Sequence, residues 1–415
     1  MKITPVKGTA DYLPSEVLVR DYLQSTILET YRSCGFERIT TPIIEDIENL
    51  DKSDGGENLN LIFKIMKRGE KLDEALASGN EKEIADMGLR YDLTLPLTRY
   101  YANNRAKLPT PFKVIQIDKV YRAERPQKGR MREFMQCDID IIGSDSYTAE
   151  VELISTTAKA LLNIGFDNFN IRINDRRLLK AIIMSAGFTE ADCDSVCISL
   201  DKLDKIDVDG VRAELCDKGF DAANIDKLMA GIATKPFTLD TAASICGELD
   251  CIANLRRIIE LANSLSGGKY SVDYDMTLVR GQGYYTGTVF EISSPEFRGA
   301  IGGGGRYDNL IGKFLGENIP AVGFSIGFER IAGILLDKKY TIPGSKPRLA
   351  LIYNEENFPA ALLHADELRE TYDVTLVEEI KKLGKLFGRL EESGYAGCII
   401  EGKDEIKWFG DRFLR

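Results

Sequence analysis

Between residues 112 and 143 the chain alternates apolar and polar positions with a period of two. FKVIQIDKVY runs into a basic loop and returns as REFMQCDIDIIG. In the return segment Met135, Cys137, Ile139 and Ile141 fall on one side, and Arg132, Phe134, Gln136, Asp138 and Asp140 on the other. Successive side chains of a strand point to opposite faces, so this pattern predicts two β-strands. One face is apolar; the other carries an arginine, an amide and two carboxylates. Arg125, Lys128 and Arg130 add three cations to the connecting loop, and Arg122 and Glu124 close the outgoing strand. Two readings of the polar face are open. It is either the solvated side of a half-exposed sheet, or a surface where Phe134 and an anion-suited loop hold a flat ring and a polyphosphate.

The same patterning organises the rest of the chain. Val17, Tyr22, Leu23, Ile27 and Tyr31 have rough helical spacing and predict a helix over about residues 15–32. GFERITTPIIED (residues 35–46) reads as a strand stopped by Pro42. Residues 58–67 are amphipathic, and 69–86 form a charged, solvent-exposed insertion. In LRYDLTLPLTRYYANN a strand starts near Leu89 and a helix opens at Pro96. That strand would put Asp92 and Thr94 on one face, an acid and a hydroxyl suited to an ammonium; the alternative for Thr94 is an N-cap. A helix over 147–165 and the strand FNIRIND follow. Residues 176–265 are helical, charged and turn-rich, without a chemical constellation, and read as an inserted helical domain. DYDMTLVRGQGYYTGTVFEI (273–292) predicts two strands around a glycine-punctuated bend carrying Arg280, Tyr284 and Tyr285. AIGGGGRYDNLIGKF reads as a glycine run into a helix, lacking the Lys-Ser/Thr of a P-loop and Rossmann spacing. PAVGFSIGFERIAGIL gives a strand, Gly327 and a helix opening with Glu329 and Arg330, whose N-terminus and arginine suit a polyphosphate. After a linker at 337–346 the tail alternates strand and helix. Residues 347–415 hold 10 Lys/Arg against 14 Asp/Glu, so phosphate contacts there would need a local patch. Lys381, Lys385 and Arg389 are four apart and would stack on one helix face, which is either that patch or a solvated surface.

Composition narrows the classes. With 415 residues and 44% hydrophobic content, the chain can bury cores for two or three domains. Neither a spanning apolar run nor a secretory signal is evident. Eight scattered cysteines lack paired spacing, and Cys193 and Cys197 alone cannot make a zinc site. A net charge of −11 argues against a general nucleic-acid-coating protein. The single histidine, His364, lies far from every polar cluster, which excludes histidine-based triads and histidine-rich metal centres. Chemistry must run on arginines and carboxylates, with or without a bound magnesium.

YRAERPQKGRMREFMQCDID (residues 121–140) resembles the second signature motif of class II aminoacyl-tRNA synthetases, in the form found in histidyl-tRNA synthetases. Arg-x-Glu, basic loop, Arg-x-Phe is the general pattern; RPQKGR with Gln136 and Asp140 is the specific part. KGTADYLP resembles the family's N-terminal signature, residues 35–46 its dimer-interface motif, RGQGYYTGTVFE its histidine signature and residues 320–335 its third motif. The resemblance covers nearly the whole chain. Gln282-Gly283 departs from the Leu-Asp commonly found after Arg-Gly.

The resemblance implies an α+β fold: a class II synthetase-type antiparallel sheet flanked by helices, with a helical insertion and a C-terminal α/β domain. It places the catalytic domain at 1–175 and 266–336, the insertion at 176–265, and a shortened anticodon-binding-like domain, without the usual terminal helix, at 347–415. It implies a cytoplasmic homodimer, not membrane-bound, that activates histidine with ATP and magnesium and charges the histidine tRNA. Arg122 would hold the α-phosphate, Glu124 the adenine amino group, and Phe134 would stack on adenine. Arg130 and Arg330 would serve the outer phosphates, and Arg280 would bridge the α-phosphate and the substrate carboxylate. Asp92, Thr94 and Gln136 would hold the amino-acid end, Asp140 and Tyr285 would read the imidazole, and Tyr284 and Tyr307 would complete the histidine pocket. Lys381, Lys385 and Arg389 would face the tRNA. A rival with the same fold is the non-catalytic, histidine-sensing regulatory subunit of ATP phosphoribosyltransferase. It erodes the ATP-binding arginines, whereas Arg122, Arg280 and Arg330 stand here together with Glu124. An RNA-binding module without catalysis would leave the nucleotide-shaped cluster unexplained.

Overall fold

The computed structural model describes residues 3–51, 60–127, 129–233, 236–280, 283–403 and 405–410. Lys128, Gly281, Gln282 and the first two positions of the 58–67 stretch lie outside the described residues. The chain divides into two compact units, residues 1–12 with 20–338 and residues 13–19 with 339–415.

The larger unit is built on an eight-stranded sheet. In spatial order its strands are Glu37–Arg38, Phe112–Tyr121, Glu133–Ile142, Ala321–Gly327, Phe297–Arg306, Thr288–Ser294, Asn170–Asp175 and Val272–Tyr274. The pairing at each edge is parallel; the five between them are antiparallel. The hairpin expected at 112–143 pairs over its full length, from Phe112 opposite Ile142 to Tyr121 opposite Glu133. Cys137, Ile139 and Ile141 are buried on its apolar face. The helix Thr148–Asn163 packs on this part of the sheet through a stripe that includes Leu153, Ile154, Ala158 and Leu161. The helix Pro14–Ser33 adds Leu23, Ile27 and Tyr31 to the core. The polar face is not solvated: Asp138 and Asp140 are only 5% and 3% exposed.

Two local expectations change. The strand before the Asp92 segment is Ala85–Leu89, paired with Ile44–Asp46 and Phe63–Met66 in a small separate sheet, and it ends before Asp92. Asp92 therefore sits in a turn, and Thr94 is the first residue of the helix Thr94–Asn104. The N-cap position is Leu93, and Thr94 makes no side-chain cap; one residue earlier, Asp92 Oδ1 accepts from the Leu95 N–H at 3.1 Å. The glycine run is not a loop. It forms the inner part of the strand Phe297–Arg306, and the short helix Gly312–Leu315 follows.

Between the strands Asn170–Asp175 and Val272–Tyr274 the described residues are helical over Arg176–Ser185, Cys193–Leu200, Leu203–Asp217 (kinked at Asp207), Ala222–Ala233, Leu239–Cys246 and Asp250–Ser266. Cys193 and Cys197 are buried in the second of these.

The smaller unit carries a four-stranded sheet in the order Asp373–Glu378, Arg348–Tyr353, Gly397–Ile400, Lys407–Trp408, parallel except for the last pair. Each face of a parallel sheet needs a cover. Leu349 and Leu351 pack with Ala361 and Ala365 of the helix Phe358–Leu368. Ala350 and Ile352 pack with Leu386 and Leu390 of the helix Leu383–Glu392. That helix starts after Lys381, so the expected three-residue stack is reduced to Lys385 and Arg389, both exposed.

Candidate active site

A cleft of about 1160 Å³ opens over the polar face of the large sheet. Asp92, Thr94, Arg122, Glu124, Arg130, Phe134, Gln136, Asp140, Arg280, Tyr284, Tyr285, Tyr307 and Arg330 all line it. Residues as far apart in sequence as Asp92 and Arg330 meet here because five neighbouring strands supply its floor. Lys381, Lys385 and Arg389 belong to the smaller unit.

The floor is ordered in cross-strand rows. Asp138 lies opposite Ser325, Ser325 opposite Gly303, Gly303 opposite Glu291, and Glu291 opposite Arg172. In the next row Asp140 lies opposite Gly323, which lies opposite Gly305. Two of these glycines are required by close approach. A Cβ on Gly303 would stand 2.6 Å from Nη1 and 2.7 Å from Cζ of Arg280, and one on Gly323 would strike Oδ1 of Asp140. Bare backbone thus leaves room for Arg280 to lie against the sheet. Its Nη1 pairs with Glu291 Oε2 at 3.1 Å. Glu291 is also paired with Arg172, which reaches Asp275 at 2.9 Å.

One end of the cleft is cationic. Arg122 donates from Nε to the Tyr91 carbonyl at 2.9 Å, and its guanidinium lies 5.0 Å from the centre of the Phe134 ring. Gln127 and Arg130 exchange two backbone hydrogen bonds at 3.1 and 2.9 Å, closing the basic loop into a tight tip, and Arg130 lies 3.5 Å from Glu124. Arg330 donates to the carbonyls of Gly129, at 3.2 Å, and Ala300. Burial, and then the neighbouring guanidiniums of Arg130, Arg280 and Arg122, lower its pKa; Glu124 offsets this only in part. Cations therefore outweigh anions at this end, the condition that favours a bound polyanion. Glu329, one residue earlier, anchors the helix Phe328–Asp337 to the strand below. It accepts two hydrogen bonds from Arg20 at 2.7 and 2.8 Å, one from Tyr12 at 3.2 Å and one from the Met135 N–H at 3.1 Å.

The other end is acidic and aromatic. Tyr307 donates its hydroxyl to Asp140 Oδ1 at 2.6 Å. Burial pushes the Asp140 carboxyl up to about 7, against the pull of that hydrogen bond. Asp92 is raised to about 6 by burial, held back by the Leu95 N–H and by Arg122. Tyr284 meets Tyr285 and Tyr307 edge-on, at 4.9 and 6.1 Å between ring centres. Asp92 Oδ2 and Gln136 Oε1 are buried and have no hydrogen-bond partner among the described residues. Two orphaned buried acceptors suit a cationic donor such as an ammonium group.

Sequence reasoning assigned no role to Asp138, Ser325, Glu291, Arg172, Glu329 or Arg20. Asp138 had a signal, since it shares the polar strand face with Asp140. Ser325, Glu291 and Arg172 acquire their neighbours only from the strand order, and Glu329 and Arg20 from the meeting of two helices.

A family model described as histidyl-tRNA synthetase matches residues 8–331. The chain belongs to the histidyl-tRNA synthetase family. It is 43% identical over 354 residues to a histidine–tRNA ligase from Leifsonia xyli subsp. xyli, with 80% of each chain covered. It is 40% identical over 421 residues to that of Phocaeicola vulgatus, covering 96% of this chain and 92% of the relative. Among solved structures, histidyl-tRNA synthetase from Nostoc sp. PCC 7120 superposes with a TM-score of 0.79 at 29% identity, covering 98% of this chain and 93% of that one. Within this family the antiparallel sheet flanked by helices is of the class II type implied by the motifs. Among the described residues no helix is long and apolar enough to cross a membrane.

Proposed function

We propose that the chain joins histidine to ATP as histidyl-adenylate, releasing pyrophosphate, and then transfers the histidyl group to the 3' end of the histidine tRNA. The observation that carries this reading is the polarity of the cleft. Guanidiniums in excess of their carboxylate partners gather at one end, and a buried carboxylate–phenol pair lies in the same cleft as two unpartnered acceptors at the other. The relatives named histidine–tRNA ligase support it.

A carboxylate is already an anion at neutral pH, so activation requires no general base. One carboxylate oxygen bonds to the α-phosphorus while the bond to the oxygen bridging α- and β-phosphates breaks. Pyrophosphate leaves with that electron pair. Charge builds on the phosphoryl oxygens, where preorganised cations act most strongly. Arg122 holds the α-phosphate, Arg280 bridges it to the substrate carboxylate, and Arg130 and Arg330 take the outer phosphates. Glu124 accepts from the adenine amino group, and Phe134 stacks on the ring. Asp92, Thr94 and Gln136 hold the ammonium and carboxylate end of histidine. Asp140 and Tyr285 read the imidazole, which favours histidine over apolar side chains because it answers a buried acceptor; Tyr284 and Tyr307 wall the pocket. In the second step a terminal ribose hydroxyl of the tRNA attacks the adenylate carbonyl, and AMP leaves.

Among the described residues no group of three histidine, cysteine or carboxylate side chains could hold a metal ion. Glu291 is already paired with Arg280 and Arg172. Magnesium fits as an ion carried on the triphosphate oxygens, whose charge it screens.

The same reading divides the chain into a catalytic domain (1–175 and 266–336), a helical insertion (176–265), a linker (337–346) and an anticodon-binding-like domain (347–415). The protein works as a cytoplasmic homodimer, with Lys385 and Arg389 turned to tRNA. Histidine-dependent exchange of labelled pyrophosphate into ATP tests the central reaction. Strong exchange with histidine and none with the other amino acids is expected. Tight histidine binding without exchange would overturn the reading in favour of a histidine sensor.

A further inference from the structure

We propose that Asp138 and Ser325 are positioning residues that fix the orientation of the Gln136 amide, so that its oxygen rather than its nitrogen is offered to the amino group of the bound amino acid. The proposal rests on the functional reading above and concerns how that site selects its substrate.

The argument begins with register. Asp138 and Ser325 are directly opposed on neighbouring strands, and Gln136 lies one row along, opposite Gly327. Gln136 Nε2 donates to Ser325 Oγ at 3.1 Å and lies 3.4 and 3.5 Å from the two oxygens of Asp138. Ser325 faces the same carboxyl from the neighbouring strand and favours its charged form. In that form the carboxylate only accepts, so the end of the amide turned toward Asp138 and Ser325 is the NH₂. Reversal would set the amide oxygen against two carboxylate oxygens. On either side, Gly303 and Gly327 have no side chain with which to compete.

One observation agrees with this polarity. Gln136 Oε1 is buried without a partner among the described residues, as is Asp92 Oδ2 in the same cleft. Burial, then the neighbouring Asp140, push the Asp138 carboxyl well above its usual range and so work against the charged form, while Ser325 pulls it back. An ammonium arriving in the cleft adds a further pull toward the carboxylate form, so substrate and relay reinforce one another. A reversed amide would present donors to that cation and repel it.

The test uses the full-length protein and the variants Asp138→Asn, Ser325→Ala and Ser325→Thr. Two competitive inhibitors separate the ends of the amino acid: histidinol, which keeps the amino group, and 3-(imidazol-4-yl)propanoate, which lacks it. Asp138→Asn and Ser325→Ala should raise KM for histidine and Ki for histidinol about tenfold, the effect of weakening one hydrogen bond to a charged group. KM for ATP and Ki for the des-amino acid should stay within about twofold, since a tenfold loss is one hydrogen bond's worth. Ser325→Thr retains the hydroxyl and should restore parent values. If both inhibitors weaken together, or neither does, Asp138 and Ser325 merely support the pocket and the proposal is overturned. If Asp138→Asn does not fold, Ser325→Ala with its threonine rescue decides the matter alone. Absence of histidine-dependent exchange in the parent protein would instead overturn the functional reading, and the two failures are thereby distinguished.

Discussion

Gly303 offers a direct way to test whether the placement of Arg280 governs catalysis. An alanine there would put its Cβ 2.6, 2.7 and 2.8 Å from Nη1, Cζ and Nη2 of Arg280. Such atoms rest at about 3.5 Å, so the guanidinium must retreat by roughly 0.8 Å. The obstacle is the far end of a flexible side chain, and Gly303 has no left-handed backbone conformation to strain. The fold should therefore survive, and the melting temperature should hold or rise slightly, because alanine restricts the unfolded chain by roughly 0.4–1 kcal/mol. A displacement near 1 Å at a reacting centre costs about 100-fold in rate. Gly303→Ala should thus reduce the rate of pyrophosphate exchange at saturating ATP and histidine by about that factor, against about 10²–10³ for Arg280→Ala. The double variant closes the argument: with Arg280 absent, adding alanine at 303 should change nothing further. Exchange within threefold of parent for Gly303→Ala, or multiplicative losses in the double variant, would refute the reasoning.

Asp140 supplies a pH test in the ligand-free protein. Its folded-state pKa of about 7 lies above its ordinary 3.8, so between these values the folded state holds the extra proton. The group's contribution to stability is full below about pH 4 and is lost as pH rises toward 7. Asp140→Asn removes that loss, so its melting temperature should gain on the parent from pH 4 to 7 and then run level; a constant difference would contradict the raised pKa. Arg330→Ala removes a cation from the crowded end of the cleft, and calorimetry should show ATP weakened about tenfold or more while AMP is largely spared. Equal weakening of both would move Arg330 away from the outer phosphates. Lys385→Ala with Arg389→Ala should raise KM for tRNA and reduce the salt slope of binding by about 2, without altering pyrophosphate exchange. An unchanged slope would leave that helix face as solvated surface.

Much of this was legible in the chain because one period-two stretch carries so many of the polar groups. Phe134, Gln136 and Asp140 must share a face once residues 133–142 form a strand, and the hairpin then brings in Arg122 and the basic loop. What could not be read were relations set by strand order. Nothing in the sequence places Ser325 opposite Asp138, or Glu291 one position beyond Gly303. The glycine run reads only as leading into a helix, because glycine weakens isolated strands. Here, pairing on both sides holds it extended, and the cleft needs its missing side chains. Asp92 was displaced from strand to turn for a local reason, the carboxylate's bond to the Leu95 N–H. Lys381 fell outside its helix because that helix starts two residues later, at Leu383.

The glycines of the floor also make the pocket's capacity for change one-sided. At 303 and 323 the residue is already the smallest there is, and the strand positions are held by hydrogen bonds to neighbours on both sides. Any substitution there adds bulk; none can deepen the cleft. Drift or engineering toward a larger amino acid must therefore act through the walls, at Tyr284, Tyr285 and Tyr307, where side-chain volume is available to remove. Those same walls contribute the hydroxyl that holds Asp140. Widening the pocket at Tyr307 would thus also release the Asp140 carboxyl, whereas Tyr284 and Tyr285 make no such bond to it.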